Sequence, residues 1–325
     1  MTAHTFIRAL LAGGAAAMLA TAAATAADWP ERPVHVIVAY GAGGGTDTLS
    51  RMVAEPLSKT LGQPVVIDNR PGAGGTIGAD AAAKADPDGY TMYMMANGHT
   101  VAAAMYKELP YDPVTDYDAV SIVARMPLVV VSRPDFAASN LDELVALAKE
   151  KPGELTFASV GVGSSQHFAG ALLAETLGID VVHIPYQKTP EALAAVLSGE
   201  VDMLVEVLAP VVGQVKAGDI KALAVTSAKR HPSLPDVGTV AEAGHGDYDV
   251  STWYGLVFPD GTPAEVIAQA NTALGEALAD DALRSKALET GYIIEGSTPE
   301  QFGDQIASDV ERWNKVRANA DIPQR

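Results

Sequence analysis

One feature limits what this chain can fold into more than any other: a strand, a glycine-rich stop and a helix, used twice. Val34–Ala39 is a short β-branched run halted by Gly41-Ala42-Gly43-Gly44-Gly45. Leu49, Val53, Leu57 and Leu61 then recur at four-residue spacing, which predicts a helix over Thr46–Leu61. About 120 residues later the order returns as Leu155–Ser159, the loop Gly161-Val162-Gly163-Ser164-Ser165 and a helix over Gln166–Leu177. Further strands continue each copy: Pro64–Asp68 and Thr91–Ala96 in the first, Asp180–Pro185, Val201–Val205 and Ile220–Thr226 in the second. Strands alternating with helices build mostly parallel sheets flanked by helices. The repetition predicts two similar α/β domains, with a single large doubly wound sheet as the alternative.

Two longer apolar runs, Tyr117–Val131 and Tyr248–Phe258, answer each other, the first broken at Arg125-Met126-Pro127. Each leads through Pro-Asp into a helix, Asp142–Lys149 or Pro263–Leu278. They are expected to be the strands by which the chain crosses between domains, and the helices after Pro263 and Pro299 should return to the first. Domain I is then residues 28–126 with 250–325, and domain II residues 127–249. Ligands of such sheets bind beyond the carboxyl ends of the strands, so both sets of glycine loops should face one cleft.

The N-terminus reads as an export signal: Arg8, an uncharged Ala/Leu/Met stretch over Ala9–Ala24, and small residues before Asp28. Cleavage is expected near Ala26 or Ala27. A membrane anchor would need about 20 strongly apolar residues, and this stretch is too short and too weakly apolar. The remaining chain should be soluble, without membrane insertion. With 22 Lys+Arg against 40 Asp+Glu, a formal charge of −18 and no Cys, the chain offers no basic stripe for nucleic acid. It also has no thiolate for a zinc site, a disulfide or a nucleophile.

A glycine turn that opens a helix exposes backbone N–H groups at the positive end of the helix dipole, and so holds an anion without any lysine. Three places qualify: Gly41–Thr46 after Tyr40, Gly72–Thr76, and Gly161–Ser165. They nominate Tyr40, Gly43, Gly44, Thr46, Gly74, Gly75, Thr76, Ser164 and Ser165, the hydroxyls doubling as ordinary helix caps. His99 and Thr100, in Asn97-Gly98-His99-Thr100, and His167 stand in or beside the same loops. Tyr186, Lys188 and Glu206 close strands of the second half, where they could meet the far end of a ligand. Arg51 and Arg70 are the other nearby cations, while Asp47 in the first helix suits its dipole but would repel an anion. Trp253 and Tyr254 read as core. Named cofactor motifs fail: Thr46 occupies the third glycine position of the dinucleotide fingerprint, and no P-loop, His-Glu-x-x-His or Gly-x-Ser-x-Gly is present. No metal or cofactor is expected. A hydrolase using Ser164 or Ser165 with His167 is the rival from another class.

These residues resemble a known family. Gly41-Ala42-Gly43-Gly44-Gly45-Thr46-Asp47 with Arg51, Leu61-Gly62-Gln63-Pro64-Val65-Val66, and Asn69-Arg70-Pro71-Gly72-Ala73-Gly74-Gly75-Thr76-Ile77-Gly78 are similar to the Bug family. These are periplasmic solute-binding proteins of tripartite tricarboxylate transporters. Asp88-Gly89-Tyr90-Thr91, Tyr111-Asp112-Pro113, Ala224–Arg230, Thr239–Gly244 and Pro259–Pro263 extend the likeness along the chain after the signal. The resemblance implies a two-domain Venus-flytrap (type II periplasmic-binding-protein-like) fold, a periplasmic monomer and no enzymatic activity. It also implies a small organic carboxylate held by backbone amides and hydroxyls, and membrane transporter subunits as partners. A carboxylate sensor for a signalling partner shares the binding step. Tyr186-Gln187-Lys188 departs from the family's usual Tyr-Lys-Gly, and Glu206 stands in place of its usual Asp. The expected ligand is a dicarboxylate or aromatic carboxylate, with Lys188 or His99 at its distal end.

Overall fold

A computed structural model describes residues 29–325 apart from Asp247; the expected export signal lies outside them. The strands are β1 (Val34–Val38), β2 (Val65–Asn69), β3 (Thr91–Ala96), β4 (Tyr117–Ser132) and β5 (Thr156–Ser159). They continue as β6 (Val182–Pro185), β7 (Met203–Val207), β8 (Lys221–Val225), β9 (Ser251–Pro259) and β10 (Ile293–Ile294). The helices are α1 (Gly45–Leu61), α2 (Thr76–Ala83), α3 (Gly98–Met105), α4 (Leu141–Glu150) and α5 (Ser165–Leu177). After them come α6 (Thr189–Ser198), α7 (Val212–Ala217), α8 (Ala264–Leu278), α9 (Asp281–Glu289) and α10 (Pro299–Asn319).

The first lobe has the strand order β2-β1-β3-β9-β4, with β1 parallel to both β2 and β3. The second is built on β4, β7, β5 and β6, with β5 parallel to β6 and β7. The antiparallel partners are the crossing strands: β9 against β3 and β4, and β4 against β7 and β8. Because β4 serves both lobes, the strands form one curled hydrogen-bonded system.

Local sequence explains the elements that carry the cleft. The four-residue spacing of α1 buries Leu49, Val53 and Leu57 together with Val34, Val36 and Val38 of β1. Each such side chain contributes about 1.5–3 kcal/mol. Helix α5 stops at Gly178 in the left-handed conformation (φ 60°), as a terminal glycine permits. The repeated unit expected from sequence is therefore present in both lobes.

Two details differ from expectation. The break foreseen at Arg125-Met126-Pro127 does not occur: β4 runs straight through it. Proline is tolerated because it sits where the strand changes partners. Pro127 is the last residue paired with β9 and Leu128 the first paired with β7, and the Pro127 carbonyl accepts the Leu208 N–H at 3.1 Å. Helix α10 begins in the first lobe as expected, with Phe302 edge-on to Trp253 at 5.2 Å. Its second half instead packs on the second lobe, with Trp313 edge-on to Phe168 at 6.0 Å and Asn319 donating to Glu175.

The two crossings are stapled together by one buried hydroxyl. Thr226 Oγ1 accepts the Leu128 N–H at 2.8 Å and lies 2.6 Å from the Val250 carbonyl, to which it donates. Backbone bonds from Thr226 N to Leu128 O and from Val250 N to Thr226 O complete the staple.

Candidate functional site

Between the lobes lies a cavity of about 700 Å³. The first lobe supplies Tyr40, Gly45, Thr46, Ala96 and Gly98, with Tyr254 and Tyr292 beside them. The second supplies Ser165, Gln166, Val207, Ala209 and Pro210, while Met126 and Thr252 form the floor on the crossing strands. Met126 and Thr252 are register partners, so the floor is itself part of the connection between the lobes.

Three helices begin at this cavity, each leaving N–H groups without a partner among the described residues. At α1 the capping position is Gly44, which has no side chain to satisfy them. The N–H groups of Gly45, Thr46 and Asp47 donate to nothing among the described residues. At α3, Asn97 makes no capping bond, and its carbonyl occupies only the N–H groups of Thr100 and Val101, leaving Gly98 and His99 free. At α5, Ser164 caps the His167 N–H at 3.1 Å and leaves those of Ser165 and Gln166 free. Five of these residues, Gly45, Thr46, Gly98, Ser165 and Gln166, line the cavity. Unpaired N–H groups at helix starts are costly when desolvated and are satisfied by an anion.

Some of the polar side chains around them make no hydrogen bond among the described residues, while Gln166 is bonded to Glu206. The Tyr40 hydroxyl makes no hydrogen bond among the described residues, and burial pushes its pKa up to about 12, so it stays a neutral donor. Glycine is required opposite it: a Cβ at Gly98 would lie 2.7 Å from the Tyr40 Oη, and one at Gly75 3.2 Å away. Tyr254 meets Tyr292 edge-on at 5.4 Å, and burial pushes its pKa well above the ordinary tyrosine value. Thr252 is 7% exposed, and its Oγ1 has no partner.

Of the residues nominated from sequence, Tyr40, Thr46 and Ser165 meet at this cavity. Gly43 does not: its N–H goes to Asp47 Oδ2 at 2.8 Å, and it borders a separate cavity of about 490 Å³ between α1 and α9. The Gly44 N–H is taken by the Gly41 carbonyl. Gly74, Gly75 and Thr76 stand one layer back; Gly75 packs on Tyr40, and the Thr76 hydroxyl donates to Ala73 O. The Thr100 hydroxyl donates to Asn97 O.

The histidines turn away from the cleft. His99 stacks on Tyr111 at 5.3 Å and meets Tyr117 edge-on at 5.1 Å, with Nε2 2.9 Å from Pro113 O. Burial pulls its pKa down to about 4, so it is neutral and cannot supply a cation to the ligand. His167 Nδ1 accepts the Gly163 N–H, and the ring stacks on His183 with centroids 3.7 Å apart. Neither Ser164 nor Ser165 hydrogen-bonds this imidazole, so the hydrolase pairing is not assembled. The serine that does meet a histidine, Ser159 at 2.7 Å from His183 Nε2, is fully buried.

The cations are elsewhere too. Arg51 is paired with Asp47 at 2.9 Å and Arg70 with Asp68 at 2.7 Å. The Arg51 hydrogen bond holds the Asp47 carboxyl down at about 2, so its charge is matched locally rather than turned on the cleft. Lys188 is exposed at the start of α6 and outside the cavity, and Tyr186 reaches Glu200 at 3.3 Å. Glu206 is wholly buried beneath Gln166 and Val207.

Sequence reasoning missed Gln166, Met126, Thr252 and Tyr292 and placed Tyr254 in the core. Period-two alternation along β9 was the available signal, since it sets Thr252 and Tyr254 on one face. Tyr292 follows an unforeseen helix, α9, and no local pattern pointed to it.

A model described as "Tripartite tricarboxylate transporter family receptor" matches residues 49–321. BugT of Bordetella pertussis is 36% identical over 303 residues, covering 91% of each chain. The solved periplasmic binding protein BugD is 34% identical with a TM-score of 0.73, over 91% of this chain and all of its own. Rpa4515 of R. palustris, solved with adipate, is 32% identical with a TM-score of 0.76 over the same shares. No helix among the described residues is long and apolar enough to cross a membrane.

Proposed function

Because the chain belongs to the tripartite tricarboxylate transporter receptor family, we propose that it captures a small organic carboxylate between its lobes and hands it to the membrane subunits of such a transporter. One observation carries the reading: three helix starts with unpartnered N–H groups converge on a single cavity between the lobes. A carboxylate there takes up donors the protein leaves unpaired. Of the two expected ligand classes, the aromatic one is supported by Tyr40, Tyr254 and Tyr292 in the wall. The dicarboxylate class is supported by the adipate-bound neighbour.

In this proposal residues 1–27 are removed on export, and the protein acts as a periplasmic monomer without catalysing a reaction. Domain I is residues 28–126 with 250–325, its last helix reaching over domain II, residues 127–249. Binding closes the lobes about the crossings at Leu128 and Val250, and the closed form is what the transporter reads.

The test is thermal unfolding of the secreted form against small mono-, di- and aromatic carboxylates, each checked for turnover. A ligand at a hundred times its dissociation constant adds about 2.7 kcal/mol, a rise of a few degrees. The reading fails if no carboxylate raises the midpoint and none is recovered from denatured protein, or if one is turned over.

A further inference from the structure

The second lobe's wall carries a buried carboxylate that no cation among the described residues compensates. Glu206 Oε1 accepts Gln166 Nε2 at 2.7 Å and the Val207 N–H at 2.8 Å, and Oε2 accepts the Thr189 hydroxyl at 2.6 Å. All three partners are neutral. Their convergence favours the ionised, acceptor-only carboxylate against the burial that pushes its pKa up. No basic side chain lines the cavity, and the nearby Lys188 is exposed and makes no ion pair among the described residues. The charge therefore acts through a dry wall, where screening is weak.

Glu206 also sets the polarity of the residue in front of it. A carboxylate accepts only from the Nε2 end of an amide, so Gln166 is held with Nε2 turned to Glu206. Its Oε1 accepts no hydrogen bond among the described residues, and Gln166 is a cavity residue. The side chain thus offers the ligand an acceptor backed by negative charge. Thr252, on the floor of the same cavity, adds a buried hydroxyl without a partner.

We propose that Gln166, held by Glu206, selects carboxylates whose far end donates a hydrogen bond (an ammonium, amide or hydroxyl) over those ending in a second carboxylate. The proposal rests on the carboxylate reading above: one carboxylate meets the helix starts, and the opposite end meets Gln166 Oε1. A second carboxylate would set acceptor against acceptor and bring a like charge towards Glu206.

The test uses the whole secreted chain, freed of bound ligand by unfolding and refolding. Calorimetric titration compares pairs that share a skeleton: succinate with succinamate, glutarate with glutaramate, adipate with adipamate, and isophthalate with 3-carbamoylbenzoate. In the tightest-binding pair the amide acid should bind at least tenfold better than the diacid. Glu206→Gln should narrow that ratio at least tenfold. Gln166→Leu, which leaves the buried carboxylate in place, should abolish the preference and serves if the first variant does not fold. A diacid that binds as well as its amide acid, or a ratio unmoved by both variants, overturns the selection while leaving the carboxylate reading intact. Binding by no member of any pair, with none recovered from denatured protein, overturns both.

Discussion

Substituting Gly45 by alanine and by proline separates the backbone donor at the start of α1 from everything else at that position. Gly45 is the first residue of α1, follows an extended Gly44 (φ −74°, ψ 169°), and leaves its N–H unpaired at the cavity. An extended residue precedes proline without strain, and the first helical position is where proline is best accepted. Any side chain here places a Cβ 2.8 Å from the Tyr292 Oη, so both variants displace that phenol alike. Only Gly45→Pro also removes the N–H. A hydrogen bond to a charged group is worth about 1.5–3 kcal/mol, and about 1.4 kcal/mol is tenfold in affinity. The expected outcome is a carboxylate bound about tenfold to a hundredfold more weakly by Gly45→Pro than by Gly45→Ala, at similar unfolding midpoints without ligand. Titration calorimetry on the best ligand of the panel reads the ratio. Equal affinities in the two variants would mean that the start of α1 is not an anion site.

Three further perturbations test the frame. Thr226→Val leaves the buried Leu128 N–H and Val250 carbonyl short of a partner and should cost about 1–3 kcal/mol in urea unfolding; an unchanged midpoint would remove the staple from the account. Gly78→Ala places a Cβ 2.6 Å from the Ala39 Cα and 2.8 Å from the Arg70 carbonyl oxygen, backbone that cannot swing aside. It should cost about 1–3 kcal/mol in the same assay, and a cost near zero would show that the β1–α2 contact yields easily. Burial holds His99 at about 4, His167 at about 4 and His183 at about 3, whereas the unfolded chain titrates near ~6.5. The unfolded state therefore binds these protons first, so stability is fully present above ~6.5 and is lost as pH falls towards 4. His99 alone accounts for about 3 kcal/mol of that loss. Thermal midpoints from pH 7 to 4.5 should fall, and less steeply in His99→Gln; parallel curves would contradict the assignment.

The parts of the site legible in sequence were those made by backbone. Glycine runs at the end of a β-branched strand announce a helix start, and two of the three starts at the cavity were found that way; the third, at Gly98, lay in a segment singled out for its histidine. What escaped was side-chain direction. His99 was nominated for its place beside a loop, yet the helical turn points it between Tyr111 and Tyr117 while its neighbour Gly98 faces the cavity. Gly43 and Gly45 are two residues apart, but only Gly45 belongs to the helix start, because Asp47 folds back on Gly43. Met126, Thr252 and Tyr292 come together only through pairing between distant strands and the packing of α9, which no local spacing encodes.

A chain of formal charge −18 is an unpromising receptor for anions until the charges are placed. Net charge governs approach from a distance and is screened beyond about 8–10 Å in physiological salt. Inside the cleft three helices aim their positive ends at the cavity, with Glu289 as the acidic side chain on its lining. Asp47, the acid nearest one of those ends, is matched by Arg51 and Asn69 and occupies the Gly43 N–H, so it shapes the glycine loop and does not cancel the dipole. The proposed recognition by unpaired N–H groups needs no cation in the cavity. A lysine there would hold any anion in either lobe, open or closed. Donors divided between α1 and α3 on one side and α5 on the other are satisfied together only when the lobes approach. Under the proposed function the binding energy would then be spent on closure, which is what a receptor read by its shape requires.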